Sequence, residues 1–377
     1  MIYLDNNATT QPSPRVVEAM LPYLNDCYFN PSSSTTAFTG ADKPRLAAAS
    51  AMKTLLNAEE PECFSFTSGA TESNNWVFSS ISKLHNVGTV LISTIEHASI
   101  SEPAAELSRL GFRVIEIPVD HQGLLQLDAL DDALNDHTVL VSIMAANNET
   151  GVLQPLHEIG SIIRKKNPAA LFHTDATQAV GKMSVDLQRD WQDVDLASFS
   201  AHKFHGPKGI GGLYIRPGLE IPPFLLGGGQ EEGRRSGTSN TPGLAGLSVA
   251  ASECNPGSDS IAKIRDYFEI ELKNRFPEAV IHSAGALRLP NTSCFSMPDS
   301  TGEEIAATLA TQDIIVGTGS ACSSGAIHPP KTLLAMGIDY GIARAALRVS
   351  LNAFSTIEQI TRFVSHLEAA VSNSLRT

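Results

Sequence analysis

A chain of 377 residues is long enough for two domains, or for one large α/β body with a smaller one appended. Its 40 acidic and 27 basic residues leave a net charge of −13, which argues against a nucleic-acid partner held by phosphate neutralisation, and no run is long and apolar enough to span a bilayer. The N-terminus lacks the basic start and apolar core of a signal peptide, and the five scattered cysteines (Cys27, Cys63, Cys254, Cys294, Cys322) form no Cys-x-x-Cys pair, so a cytoplasmic protein without disulfides or bound metal is expected.

From about Ala48 to Arg216, short β-branched runs alternate with helical patterns. Strands are predicted at Glu62–Thr67, Thr89–Thr94, Arg113–Val119, Thr138–Met144, Ala170–His173, Leu196–Ser200 and Gly211–Arg216. Helical patterns cover Ser101–Leu110, Leu127–Leu134 and Leu156–Lys166. This alternation predicts an α/β fold with a mainly parallel seven-stranded sheet, and ligands collect at the carboxyl ends of such strands. Gly227–Gly243, rich in Gly, Ser and Arg, reads as a long functional loop. Asn255-Pro256-Gly257 breaks the pattern, and an amphipathic helix follows at Ile261–Arg275. Short strands are expected at Val280–His282, Thr292–Met297 and Arg348–Leu351, with helices at Gly302–Thr311 and Ile357–Ser374. The expected division is a large domain over 16–253 and a smaller α+β domain made of 1–15 with 254–377.

Several strand ends carry residues suited to chemistry. Phe66–Asn74 reads as strand, small-residue turn and helix start, which suits a phosphate; capping by Ser68 or Thr71, with Glu72 nearby, explains it equally well. His97 could stack on a flat ring and move protons, or be an ordinary hydrogen-bonded histidine. Asn147 and Asn148 fit a turn as readily as a site. Asp175 could keep a pyridine nitrogen protonated, or cap a helix. Lys203 follows an apolar strand and precedes a Gly/Pro-rich loop, a setting suited to holding an aldehyde cofactor as a Schiff base. His202 and His205 have metal-like spacing but no local acidic or thiol partner. Cys322 lies in a small-residue loop and could be a nucleophilic thiol or incidental. Arg348 could capture a carboxylate or make a structural salt bridge.

These pieces occur in one order over nearly the whole chain. Tyr3–Thr10, Asn30-Pro31-Ser32-Ser33, Thr67–Asn74, Glu96-His97, Asn147–Gly151, Asp175–Gln178, Ser200–Gly209, Gly227–Thr238 and Gly319–Ser323 together resemble the cysteine desulfurases related to the nitrogen-fixation sulfur-mobilising enzymes. That family belongs to the class-V aminotransferase branch of the fold-type I pyridoxal-phosphate enzymes. The resemblance implies that Lys203 binds the cofactor and moves the Cα proton. It pairs Asp175 with the ring nitrogen and Gln178 with the phenolic oxygen, near Asn148. It gives the phosphate to Ala70, Thr71, Ser200 and His202, and the ring face to His97. Thr238 would reach the neighbouring subunit's phosphate, implying a homodimer. Arg348 and Asn30 would bind the substrate carboxylate, and Cys322 would carry the persulfide, in a stretch like that of the long-loop group. The family's usual histidine after Asn-Pro-Ser-Ser is Thr35 or Thr36 here, and Arg234-Arg235 and Ser239–Pro242 follow a variant of the loop pattern.

The expected reaction removes sulfur from L-cysteine, giving alanine and a persulfide passed to an acceptor protein. A selenocysteine lyase or another fold-type I enzyme would keep Lys203 and Asp175 without needing Cys322. A non-catalytic sulfur-relay scaffold would lack the cofactor's lysine-bound absorbance. Iron–sulfur assembly, tRNA thiolation, cofactor biosynthesis and DNA sulfur modification all remain open as acceptor pathways.

Overall fold

The structure is a computed structural model that describes residues 1–256, 259–319 and 328–374; Cys322 lies outside the described residues. All seven expected strands form one sheet. Its order is Phe64–Thr67, Gly211–Ile215, Leu196–Ser200, Leu171–Asp175, Thr138–Ser142, Thr89–Ser93, Arg113–Ile117. Only Gly211–Ile215 is reversed, antiparallel to both neighbours. It fits there because a Cβ on Gly212 would come within 2.6 Å of the Phe199 ring. The strand from Leu171 runs to Asp175, two residues beyond its predicted end, so the carboxylate sits at the strand's last position.

Strands such as Thr89–Ser93 and Leu196–Ser200 are buried along their whole length, because helices cover both faces. Alternate side chains serve the two layers. Leu91, Phe172 and Phe199 pack towards Lys43–Leu56, Leu156–Lys166 and Thr241–Glu253, and Val90, Ile92 and Leu196 towards Ala70–Leu84 and Ala98–Arg109.

A smaller body follows. Val280–Ile281, Thr292–Ser296 and Ala346–Ser350 make an antiparallel sheet. Ile2–Leu4 pairs in parallel with Ile314–Val316, a strand not expected from the sequence. Phe268, Phe295, Leu347 and Phe363 are fully buried between these strands and the helices Asp259–Arg275, Gly302–Ala310 and Ile357–Ser374. Among the described residues, no helix is long and apolar enough to cross a membrane.

Candidate active site

The carboxyl edge of the large sheet faces the N-terminal segment, and most of the candidate residues meet there. After Leu196–Ser200 the chain makes a tight turn, Ala201–Lys203, that lifts the lysine off the sheet. Lys203 Nζ donates to the carbonyls of Asn7 (2.6 Å) and Ala8 (2.9 Å). Asn7 is fully enclosed; its Nδ2 donates to Asn148 O at 3.1 Å and to Thr292 Oγ1 at 2.9 Å. Gln178 Nε2 donates to the same Asn7 carbonyl at 3.0 Å. The Tyr3–Thr10 motif therefore acts through its backbone as much as through its side chains.

Asp175 is buried, and each carboxylate oxygen takes one donor: Thr177 N–H on Oδ1 and Asn74 Nδ2 on Oδ2, both at 2.9 Å. Asn74 Nδ2 also lies 2.9 Å from Ser99 Oγ, which lies 2.8 Å from His97 Nδ1. A chain of polar contacts thus joins Asp175 to His97. His97 does not end a strand, as expected, but stands at the N-cap of Ala98–Arg109 and accepts the Ser99 N–H on Nδ1 at 3.1 Å. That bond leaves the neutral ring's proton on Nε2. Glu96 beside it accepts from Ser93 Oγ and Met144 N–H, and burial followed by the nearby Asp175 pushes its carboxyl up to about 8.

Neither Ser68 nor Thr71 caps Ala70–Leu84. Gly69 holds the N-cap with no side-chain bond, and Glu72 reaches back to the Ser68 N–H at 2.8 Å. Ser200 Oγ accepts the Ala70 N–H at 2.8 Å, which brings the turn and the lysine strand together. Thr71 is exposed at this helix start. His202 is half-buried, 3.1 Å from Thr9 Oγ1, and burial, then Lys203, Lys208 and Lys182, holds its pKa down at about 4. It is a neutral donor at physiological pH. Arg235 clamps Glu72 through 2.7 and 3.1 Å contacts and ties the Gly227–Gly243 loop to this turn. An adjoining cleft is lined by Thr67, Ser68, Arg235 and Thr238, and Thr238 itself is exposed.

Arg348, on the strand Ala346–Ser350, is buried. It donates to Asn148 O at 2.9 Å and to Asp5 Oδ1 at 2.5 Å, while its Nε is buried without a partner. Asn30 is not brought to it: Asn30 is exposed and accepts the Ser32 N–H in a local turn. Cys322 falls outside the described residues. Sequence reasoning passed over Asn7, Asp5, Asn74, Ser99 and Lys182. Asp5, Asn7 and Asn74 lie inside recognised motifs, whereas nothing local singles out Ser99 or Lys182.

These residues fit a phosphorylated pyridine aldehyde. A helix start free of any side-chain cap offers N–H groups to an anion. Gly69 has φ 154°, and a Cβ there would stand 3.1 Å from Ser200 Oγ, inside the cradle. An amine and a buried carboxylate with unused lone pairs lie at the ends of neighbouring strands, and the Thr177 hydroxyl beside them is buried without a partner.

The comparisons agree with this chemistry. The aminotransferase class-V family model matches residues 2–363. The chain is 39% identical to cysteine desulfurase IscS of Clostridium botulinum (strain Hall) over 370 residues, 95% of this chain and 91% of that protein. A solved NifS-like protein superimposes with a TM-score of 0.91 at 37% identity, covering 99% of both chains. SspA, solved in complex with cysteine, gives a TM-score of 0.83 at 30% identity, covering 94% of this chain and 100% of that one. The chain belongs to the class-V aminotransferase family, in the branch that holds the cysteine desulfurases.

Proposed function

We propose that the protein is a pyridoxal-phosphate-dependent cysteine desulfurase that converts L-cysteine and a Cys322 thiol into L-alanine and a Cys322 persulfide. One observation carries the reading of the site: Asp175 ends one strand and Lys203 closes the short turn that follows the neighbouring strand, beside a helix start whose N-cap glycine makes no side-chain bond. Pyridoxal phosphate, when bound, supplies the electron sink for the pair left after the Cα proton is removed.

The chain's residues do the rest. Lys203 tethers the cofactor and then moves the Cα proton. Asp175 holds a proton on the ring nitrogen, and Gln178, with Asn148 nearby, faces the phenolic oxygen. Thr71, Ser200 and neutral His202 hold the phosphate together with Ala70, whose N–H would turn to it from Ser200 Oγ, and His97 covers the ring face. With its proton on Nε2, His97 offers a donor to the substrate's sulfur and favours the thiolate. Arg348 takes the substrate carboxylate; Asn30 would join it only if its turn moved inward. The Cys322 thiolate attacks the substrate sulfur, the Cβ–S bond breaks, and its electron pair stays with the carbon skeleton, which gains a proton to become alanine.

A cytoplasmic homodimer fits this reading, as does the division of the chain at residues 15/16 and 253/254. Val17, Leu21, Leu24, Tyr28 and Phe38 are exposed apolar side chains, and exposed Thr238 is placed to reach a second copy. Sedimentation of the purified protein tests the dimer. The reaction is tested by alanine formation from L-cysteine with candidate acceptor proteins, iron–sulfur assembly scaffolds among them. Keto acid and glutamate in place of alanine would overturn it. Cys322→Ala should abolish sulfur delivery to a protein acceptor.

A further inference from the structure

Lys182 has no role in the reaction as set out above, yet its amine sits in the middle of the site. It follows Gly181, whose φ of 79° turns the chain inward; a Cβ at 181 would lie 2.5 Å from Phe204 Cβ. Lys182 Nζ donates to Gln178 Oε1 and, at 2.9 Å, to Asn7 Oδ1. Gln178 Nε2 donates in turn to the Asn7 carbonyl, which also receives Lys203 Nζ. The Asn7 carbonyl oxygen only accepts, so the Gln178 amide must turn its nitrogen to it and its oxygen to Lys182. The nitrogen shares that carbonyl with Lys203 and has one N–H to spare. The same logic fixes Asn7: its Oδ1 accepts from Lys182 and from Asn291 Nδ2, leaving its Nδ2 for Asn148 O and Thr292.

We propose that Lys182 is a positioning residue whose two donated bonds orient the Gln178 and Asn7 amides, so that Gln178 presents an N–H to the cofactor's phenolic oxygen. The proposal rests on the reading of Gln178 as that oxygen's partner. Two bonds need two protons, which an ammonium and a neutral amine both possess, so the arrangement survives the loss of Lys182's charge. Burial, then Lys203 and Arg348, holds the Lys182 pKa well below its usual value. Lys203 and Arg348 are the charged groups that act on it, Arg348 being paired with Asp5; Lys182 in turn acts on His202.

The test is a pH titration of the holoenzyme's visible absorbance, which reports the basicity of the Lys203-bound nitrogen. A donor on the phenolic oxygen favours the deprotonated form and so lowers the midpoint, and any charge kept by Lys182 acts in the same direction. Lys182→Met removes both and should raise the midpoint by about one unit, a tenfold change in the acid constant. Lys182→Arg, which keeps the donors, should stay near wild type. In the Lys182→Met background, Gln178→Leu should add little, whereas alone it should shift the midpoint. If Lys182→Met does not fold, Lys182→Gln serves, with the same expected direction. A wild-type midpoint in these variants would overturn the proposal, as would additive shifts from the two positions. If wild type and Lys182→Met behave as expected but Gln178→Leu alone shifts nothing, the reading of Gln178 fails and takes the proposal with it.

Discussion

The Asn74 side-chain amide lies 2.9 Å from Asp175 Oδ2, and it shares that nitrogen with Ser99 Oγ at the same distance. The buried carboxylate is therefore oriented from the helix that also opens the phosphate turn, and the contact continues to His97. Asn74→Ala would leave Asp175 with the Thr177 N–H alone. A hydrogen bond to a charged group is worth about 1.5–3 kcal/mol, so kcat/KM for cysteine should fall roughly 10- to 100-fold. Steady-state kinetics alongside a melting curve would check this. A normal rate would remove Asn74 from the site.

A second prediction concerns the phosphate turn. A Cβ on Gly211 would come within 2.3 Å of Phe199 O and 2.7 Å of Gly69 Cα. Those are backbone atoms and cannot swing aside. Gly211→Ala should push the reversed strand away from the Gly69 turn, at an overpacking cost of about 1–3 kcal/mol. Cofactor affinity, measured by reconstitution of the apo-protein, should fall with the melting temperature. Gly212→Ala is the comparison: its clash is with the Phe199 ring, so it should lower stability with less effect on the cofactor.

The sheet was legible because its strands are buried on both faces and read as continuous apolar runs between turn signals. The Ile314–Val316 strand was not, because three residues carry no period and its partner, Ile2–Leu4, lies over three hundred positions away. The helix Pro14–Leu24 carried a readable start, Ser13 followed by Pro14, that was passed over. At the site, Lys203 and Asp175 stood out because each lies just after an apolar strand-like run, where small polar residues begin. Ser99 and Lys182 did not, because their links into the site run through Asn74 and through Asn7, far away in the sequence. Asn30 shows the opposite failure: its motif was recognisable, but its side chain closes a local turn.

A third prediction follows from Glu96. Its carboxyl is raised to about 8 in the folded protein, chiefly by burial, against about 4.5 for an exposed glutamate, and its Oε2 is buried without a partner. Between those values the folded chain keeps a proton that the unfolded chain releases. Stability therefore falls as pH rises through that window. Glu96→Gln imitates the protonated acid, so its melting temperature should gain on wild type between pH 5 and pH 8. Parallel curves across that range would show that Glu96 is ionised in the fold.

The Asp5–Arg348 pair yields a fourth prediction. Both side chains are largely enclosed, at 16% and 7% exposure, and Gly317 packs so closely that a Cβ would fall 2.7 Å from Asp5 Oδ1 and 2.8 Å from Arg348 Nη2. Removing one partner from a buried pair costs about 3–5 kcal/mol, because the other charge is left uncompensated. Asp5→Ala should therefore lower the melting temperature and raise KM for cysteine, as the guanidinium loses its fixed direction. Arg348→Lys keeps the charge but has no planar fork, and no counterpart to the buried Nε that stands ready for an acceptor. Product inhibition by L-alanine separates these effects, since alanine keeps the carboxylate and lacks the sulfur. Arg348→Lys should weaken that inhibition about as much as it raises KM. If KM rose while alanine inhibition stayed unchanged, Arg348 would be recognising the sulfur end of the substrate and not its carboxylate.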